Sequence, residues 1–301
     1  VLSTPRGALA LEPIDARARL SAYLSLTKPR IALMVLITVA AGFVLGARGG
    51  VPALPFVLTL VGTGLVAGGA SAWNMVLERD RDARMRRTSK RALPAGKVAP
   101  LEAAVFGSAL AIAGLAILAC GVNLLAAAVA ATTFVLYVAV YTPLKSVTTL
   151  NTAIGAVPGA LPPVIGWAAA TGRLGVEPWA LFLLVFLWQF PHFLAIAWIH
   201  RDDYARGGLK MLPGVDPDGA MTGRQAAWHA LLLLPAGFIP AYVGLAGPWY
   251  LAGSMAIGLF YLIHAVRFWR EVNDARARAL LRASFLYLPV VLALLWGDAR
   301  P

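Results

Sequence analysis

Apolar stretches of about 17 to 24 residues recur along the whole of this 301-residue chain, 59% of which is hydrophobic. Each is long enough to cross a hydrocarbon core of about 30 Å as a helix, so the sequence predicts an all-α integral membrane protein. Apolar length, with flanking Gly, Pro and charge, places spans near Ile31–Ala47, Leu54–Leu77, Ala103–Val122, Leu124–Tyr141, Leu150–Ala170, Pro178–Ile199, Ala226–Leu245, Trp249–Val266 and Ala279–Trp296. Arg282 interrupts the start of the ninth. Pro158, Pro162, Pro163, Pro191, Pro235, Pro240 and Pro289 fall inside spans, where they read either as packing kinks or as breaks around a cavity.

Charge placement orients this map. With the N-terminus inside, the inward segments carry 23 of the 26 Lys and Arg residues, and the outward ones only Arg48, Arg173 and Arg300. By the positive-inside rule, the N-terminus and the charged loops are cytoplasmic. The net charge of +12 follows from that basic face and its attraction to anionic lipid, so no nucleic-acid partner is inferred. Residues 1–27 lack a short apolar core directly after a basic start, as a signal peptide would have. They read as a loosely ordered cytoplasmic tail, or alternatively as an interfacial helix over Pro13–Leu26, ahead of a transmembrane domain over 28–298. Cys120 is the only cysteine; it excludes an intramolecular disulfide or a Cys-cluster metal site and reads as packing.

Chemistry is expected on the cytoplasmic side. The inward loops 78–100 and 200–225, with Glu102 just beyond, hold eight of the 14 acids. The stretch "NMVLERDRDARMRRTSKRALPAGK", residues 74–97, follows the second span with three acids and eight bases. No Gly or Pro interrupts Ser71 to Leu93, so the helix is predicted to continue past the membrane with Asn74, Glu78 and Asp82 spaced by four on one face. Asp80 points away and joins Arg84 and Arg87 in a solvated stripe. A row of oxygen ligands among arginines suits magnesium, which commonly takes one or two carboxylates while phosphates supply the rest. The competing reading is a basic cytoplasmic loop with incidental acids; as a loop acid at the membrane surface, Asp82 is expected to contribute little to stability even where it holds metal.

Asp202 and Asp203 follow the sixth span as Glu78 and Asp82 follow the second. Two halves in the same orientation, a weak parallel repeat, would bring both loops over one cavity. "YTPLK", residues 141–145, sets Lys145 between the halves, as either a lipid anchor or a phosphate ligand.

The letters of the first acidic stretch resemble the aspartate-rich motif N-x-x-x-D/E-x-x-x-D of the UbiA superfamily of intramembrane prenyltransferases, with Glu78 in the middle acidic place. "LTKPR" (26–30), "YTPLK", "GALPPVIGW" (159–167), "WQFPHF" (188–193) and "RDDYARGGLKMLP" (201–213) are similar to its haem-farnesylating branch, in order, from about Leu26 to Trp296. The resemblance implies nine transmembrane helices around a central cavity in a bacterial inner membrane, and a reaction of farnesyl diphosphate with haem B that yields haem O. It implies that Asn74, Glu78 and Asp82 bind one diphosphate-bridging Mg2+, and that Asp203, with Asp202, supports a second. Lys145 joins Asn74, Glu78, Asp82 and Asp203 as the implied catalytic set, with Arg81, Arg86, Arg91, Lys145 and Arg201 holding diphosphate oxygens. Gly207 stands four places after Asp203, where many members carry a further acid, which argues against a complete second three-ligand site. Beyond the two substrates and the bilayer, the implied partners are haem A synthase or oxidase assembly proteins.

Such a reaction makes demands that these residues meet. Breaking the allylic C–O bond leaves a farnesyl cation and a diphosphate of growing charge, so metal and fixed bases aimed at that charge favour the transition state. The cation must meet the porphyrin vinyl before water, which calls for an apolar cavity. Trp73, Tyr137, Tyr141, Phe190 and Trp198 are candidates to shield it, against a plain core role for each. His192, inside a span, is a candidate haem contact, as an iron ligand or through a hydrogen bond. His200, His229 and His264 read as interfacial. Two rivals remain: a related prenyltransferase making a quinone precursor, which "GALPPVIGW" and "WQFPHF" disfavour, and a transporter, which the clustering of charge in loops disfavours.

Reporters fused after Gly96 or Lys210 should read cytoplasmic, and one after Gly172 outside, in a topology assay. An outward reading at Lys210 would part the two acidic loops.

Overall fold

The computed structural model describes residues 15–299; Arg300, Pro13 and the first half of the tail lie outside the described residues. All regular elements there are helices. In order they are α1 (Ala16–Leu26), α2 (Pro29–Gly46), α3 (Ala53–Asp82), α4 (Pro100–Gly121) and α5 (Leu124–Val135), the last continuing through a π-helix (Leu136–Tyr141) into α6 (Thr142–Leu144). After these come α7 (Asn151–Ala160), α8 (Pro162–Thr171), α9 (Glu177–Ile199), α10 (Arg201–Arg206), α11 (Ala220–Tyr242), α12 (Pro248–Arg270) and α13 (Asp274–Gly297).

Eight of the helical rods have the length and apolarity to cross a membrane: α2, α3, α4, α5 to α6, α7 to α8, α9, α12 and α13. α11 is as long, at 23 residues, but Arg224, Gln225 and His229 dilute its apolar run. By length and apolarity, eight of the nine expected spans qualify among the described residues, and α11, the remaining one, packs as a full-length helix of the bundle. The interruption at Arg282 has no such effect, because α13 runs unbroken through it. The tail is not loosely ordered where it is described: α1 buries Ala22 and Leu26, and Arg19 pairs with Glu102 of α4 at 3.1 Å. Tertiary contacts supply what its weak apolar pattern does not.

Glycines set the closest approaches, as expected where packing rather than hydrophobicity joins helices in lipid. A methyl added at Gly166 of α8 would overlap the Val39 carbonyl of α2, and one at Gly114 of α4 would overlap the Gly62 carbonyl of α3. The other half of the bundle packs α9, α11, α12 and α13 around Trp198, Leu233, Tyr250, Tyr261, Phe268 and Tyr287. Of the prolines inside spans, only Pro162 divides one, at Leu161 between α7 and α8; Pro158, Pro191, Pro235, Pro240 and Pro289 sit within continuous helices. Gln189 of α9 bridges to the kinked segment by donating to the Ala156 carbonyl at 3.2 Å. The π-helix is braced by the Thr142 hydroxyl, which donates to the Tyr137 carbonyl at 2.8 Å, and its wide turns set the Tyr137 and Tyr141 rings 5.6 Å apart. Cys120, read as packing, is exposed.

Gly166→Ala is expected to lower the apparent melting temperature in detergent, by an overpacking cost of about 1–3 kcal/mol. Gly64→Ala, whose new methyl would meet Leu36 Cδ1 at an ordinary 3.6 Å, should be tolerated. Equal melting temperatures for the two variants would contradict the close α2–α8 approach.

Candidate active site

α3 has 30 residues, about 45 Å of helix at 1.5 Å per residue, so its last turns stand clear of a 30 Å core. On those turns Asn74, Glu78 and Asp82 are all buried, while Asp80 on the opposite face is 84% exposed and meets only Arg79. The helix stops at Asp82, short of the expected Leu93. There the chain is held back over the site: the Thr88 hydroxyl donates to the Asp82 carbonyl at 2.8 Å, and the Asp203 carboxylate accepts the backbone N–H groups of Arg86 and Arg87, each at 3.1 Å. The two acidic loops thus meet.

Each residue of the α3 row faces a base through one oxygen. Lys28 Nζ donates to Asn74 Oδ1 at 2.7 Å, Lys145 Nζ lies 2.8 Å from Glu78 Oε1, and Arg91 Nη1 donates to Asp82 Oδ2 at 2.7 Å. The Asn74 amide donates in turn to the Thr142 hydroxyl at 3.2 Å. Lys145 Nζ also lies 4.5 Å over the Tyr141 ring, and its carbonyl accepts the Lys210 N–H at 2.8 Å. The three bases, the α3 row and Tyr141 line a cavity of ≈ 110 Å³ together with Met85, Arg87, Tyr137, Tyr204, Leu209 and Met211. A larger hollow of ≈ 470 Å³ between α1 and α4, lined by Tyr23, Leu101, Glu102, Val105 and Phe106, is an open, mostly apolar depression whose two polar groups pair with each other, the Tyr23 hydroxyl donating to Glu102 at 3.4 Å.

The bases differ electrically. Burial, then the charges of Arg91 and Lys145, push the Lys28 ammonium down to about 7. Burial also works against the Lys145 ammonium, but Tyr141 and Glu78 outweigh it and hold its pKa above the usual lysine range. Burial disfavours the Asp203 carboxylate, yet Arg206 and the two backbone amides outweigh that and keep it below the usual aspartate value. Asp203 is therefore a charged clamp on the loop after α3.

The structure brings Asn74, Glu78, Asp82, Lys145 and Arg91 together. It sets other expected site residues apart from the cavity lining. Arg81 donates to the Ser146 hydroxyl at 2.8 Å. Arg201 pairs with Asp274 at 2.9 Å and stacks over Trp198. Asp202 is exposed, and Arg86 enters through its backbone alone. His192 hydrogen-bonds through Nδ1 to the Ser284 hydroxyl at 2.8 Å, between α9 and α13. Of the aromatic candidates, Tyr137 and Tyr141 line the cavity; Trp73 donates to Ser108 of α4, Phe190 stacks on His229, and Trp198 is core. Sequence reasoning missed Lys28, Arg87 and Tyr204. The signal for Lys28 is its place before Pro29, where it takes a left-handed backbone with φ 48°, a strained state for a residue with a Cβ.

The donor set suits magnesium. No three His, Cys, Asp or Glu side chains converge among the described residues, but two carboxylates and an amide oxygen suffice where phosphate completes the shell. Asp82 Oδ1 is buried without a hydrogen-bond partner, and Glu78 Oε1, near Lys145, is off the hydrogen-bond line. Such atoms are costly unless something occupies the space before them, so the residues fit the ion.

The model of the UbiA prenyltransferase family matches residues 35–288. A protoheme IX farnesyltransferase of Solibacter usitatus is 44% identical over 288 residues, covering 93% of this chain and 98% of that protein. Among solved structures, a digeranylgeranylglyceryl phosphate synthase superposes with a TM-score of 0.78 at 18% identity, over 93% of this chain and 98% of the other. A UbiA homologue from Archaeoglobus fulgidus bound to GPP and Mg2+ superposes with a TM-score of 0.63 at 18% identity, over 91% and 99%. The helical bundle and the sequence kinship over nearly its whole length agree: the chain belongs to the UbiA prenyltransferase family.

Proposed function

We propose that this membrane protein transfers the farnesyl group of farnesyl diphosphate to a vinyl group of haem B, with addition of water, giving haem O. The observation that carries prenyl transfer is the buried Asn74–Glu78–Asp82 row facing Lys28, Lys145 and Arg91 across one small polar cavity. The haem acceptor rests on the 44% identical relative, named a protoheme IX farnesyltransferase. The reaction breaks the allylic C–O bond, forms a C–C bond to the vinyl terminus and a C–O bond from water to the inner vinyl carbon, and releases diphosphate and one proton.

Magnesium held by Asn74, Glu78 and Asp82, which the neighbour bound to GPP and Mg2+ supports, would supply Lewis-acid charge to the diphosphate. The chain does the rest. At ≈ 110 Å³ the cavity takes the polar head, leaving the prenyl chain to the apolar bundle. Lys28, Lys145 and Arg91 are positioned to exchange their α3 partners for diphosphate oxygens, neutralising charge that grows as the C–O bond lengthens. Tyr137 and Tyr141 line the cavity, where their rings would shield the cation. Asp203 acts through the loop it clamps, so it is a positioning residue; Arg81, Arg86 and Arg201 are assigned to the rim as long-range attraction for the anionic substrate, and Asp202, exposed at the surface, is given no part in holding it. The same reading sets the site on the cytoplasmic side of a bacterial inner membrane, with haem A synthase or oxidase assembly proteins receiving the product. Charge gathered at one end of α3 rather than at mid-membrane favours catalysis over transport.

Asp82→Asn should cut turnover about a hundredfold or more, read as haem O formed per purified protein. Unlike an exposed loop acid, Asp82 is buried and paired with Arg91, so the variant should also melt lower; Asp80→Asn should change neither. Turnover near wild type for Asp82→Asn would remove it from the metal set. Lys145→Ala should raise KM for farnesyl diphosphate more than for haem, with Lys145→Arg recovering only part, because a planar guanidinium approaches phosphate differently from an ammonium. Unchanged KM in both variants would reduce Lys145 to a lipid anchor.

A further inference from the structure

Arg282 lies about 12 Å along α13, at 1.5 Å per residue from Asp274, and among the described residues it makes no ion pair or side-chain hydrogen bond. An arginine at such a position in a membrane helix calls for a partner. Arg278, Arg282, Phe285 and Pro289 follow at i, i+4, i+7 and i+11 and form one stripe, all exposed, while Ser284, Tyr287 and Val291 bury the other side of the helix. Arg278 has only a weak partner, Asp274 at 3.5 Å.

The stripe borders an aromatic wall. The Phe285 ring meets His192 of α9 edge-on at 5.4 Å; His192 stacks on Trp188 at 4.9 Å and meets Phe193 at 5.1 Å. His192 Nδ1 is held by Ser284 at 2.8 Å, and Nε2 has no hydrogen bond among the described residues. A flat aromatic ligand bearing two carboxylates matches a wall of rings with two under-partnered guanidinium groups toward its cytoplasmic end. We propose that Arg282, with Arg278, binds the propionates of haem B laid against the Phe285–His192 wall between α9 and α13. This rests on the haem-acceptor reading above. It makes the propionates, rather than the iron, the feature that selects and orients the acceptor, since arginine grips carboxylates in a fixed, paired geometry.

The test is equilibrium binding of haem B and of haem B dimethyl ester to the full chain in nanodiscs, followed by haem absorbance without farnesyl diphosphate. The wild type should prefer the free acid by about tenfold. Arg282→Gln should bind the acid about tenfold more weakly, leave ester binding unchanged and so lose the preference, with Arg282→Lys regaining part of it. Unchanged binding of farnesyl thiodiphosphate with Mg2+ shows that the variant's other site is intact. An Arg282→Gln chain that still prefers the acid overturns the proposal, as does equal weakening of acid and ester that depends on anionic lipid, which would make Arg282 a headgroup contact. A wild type binding acid and ester equally overturns the propionate assignment alone, whereas one binding neither overturns the haem reading with it.

Discussion

Burying two carboxylates at the end of a membrane helix is tolerable only if each finds an opposite charge, and the surroundings of α3 are built to supply it. Lys28 reaches Asn74 from the α1–α2 junction, Lys145 reaches Glu78 from the end of the π-helical segment, and Arg91 reaches Asp82 from the loop that folds back after α3. Each base arrives from a different part of the chain, so the row fixes three connections at once. The left-handed backbone at Lys28, the wide turn braced by Thr142, and the end of α3 under the Asp203 clamp are local departures from regular helix that serve these contacts.

That arrangement couples stability to chemistry. In this structure the bases hold the acids; in the proposed reaction a diphosphate with its metal would offer both the bases and the acids new partners of opposite charge. The Tyr141 ring beneath Lys145 and the nearby Tyr137 then mark the border between the polar head site and the apolar bundle. Gly155 lies directly against Tyr141, where an added methyl would overlap the ring, so a residue outside the cavity lining helps to set that border.

Much of this was legible in the letters, for identifiable reasons. Apolar length gave the spans, because membrane crossing constrains length strongly, and a spacing of four gave the α3 row, because the helix period is fixed. The end of α3 was not legible: Ala83 to Leu93 has no breaker, and it turns because of bonds to Asp203, more than a hundred residues away. Lys28 escaped notice for the same reason, since its partner Asn74 is distant in sequence. The segment of α1 read either as a loose tail or as an interfacial helix, and its contacts with α4 and the core decide for a helix; α11, a span by reading, falls short of membrane apolarity by composition although it packs as a full-length helix of the bundle. In the second acidic loop, where Gly207 already argued against a complete second ligand set, Asp203 holds the loop after α3 and Asp202 lies at the surface, contacts that no local pattern announces.

The central claim, that the α3 row and its three bases serve prenyl transfer to haem, is tested most directly by the mass of the product. Purified chain given farnesyl diphosphate, haem B and Mg2+ in ¹⁸O-labelled water should yield haem that has gained one farnesyl group and one labelled hydroxyl, and chelation of the metal should abolish the product. Haem recovered unmodified, while the same preparation prenylates a different aromatic acceptor or leaves farnesyl diphosphate intact, would contradict the account.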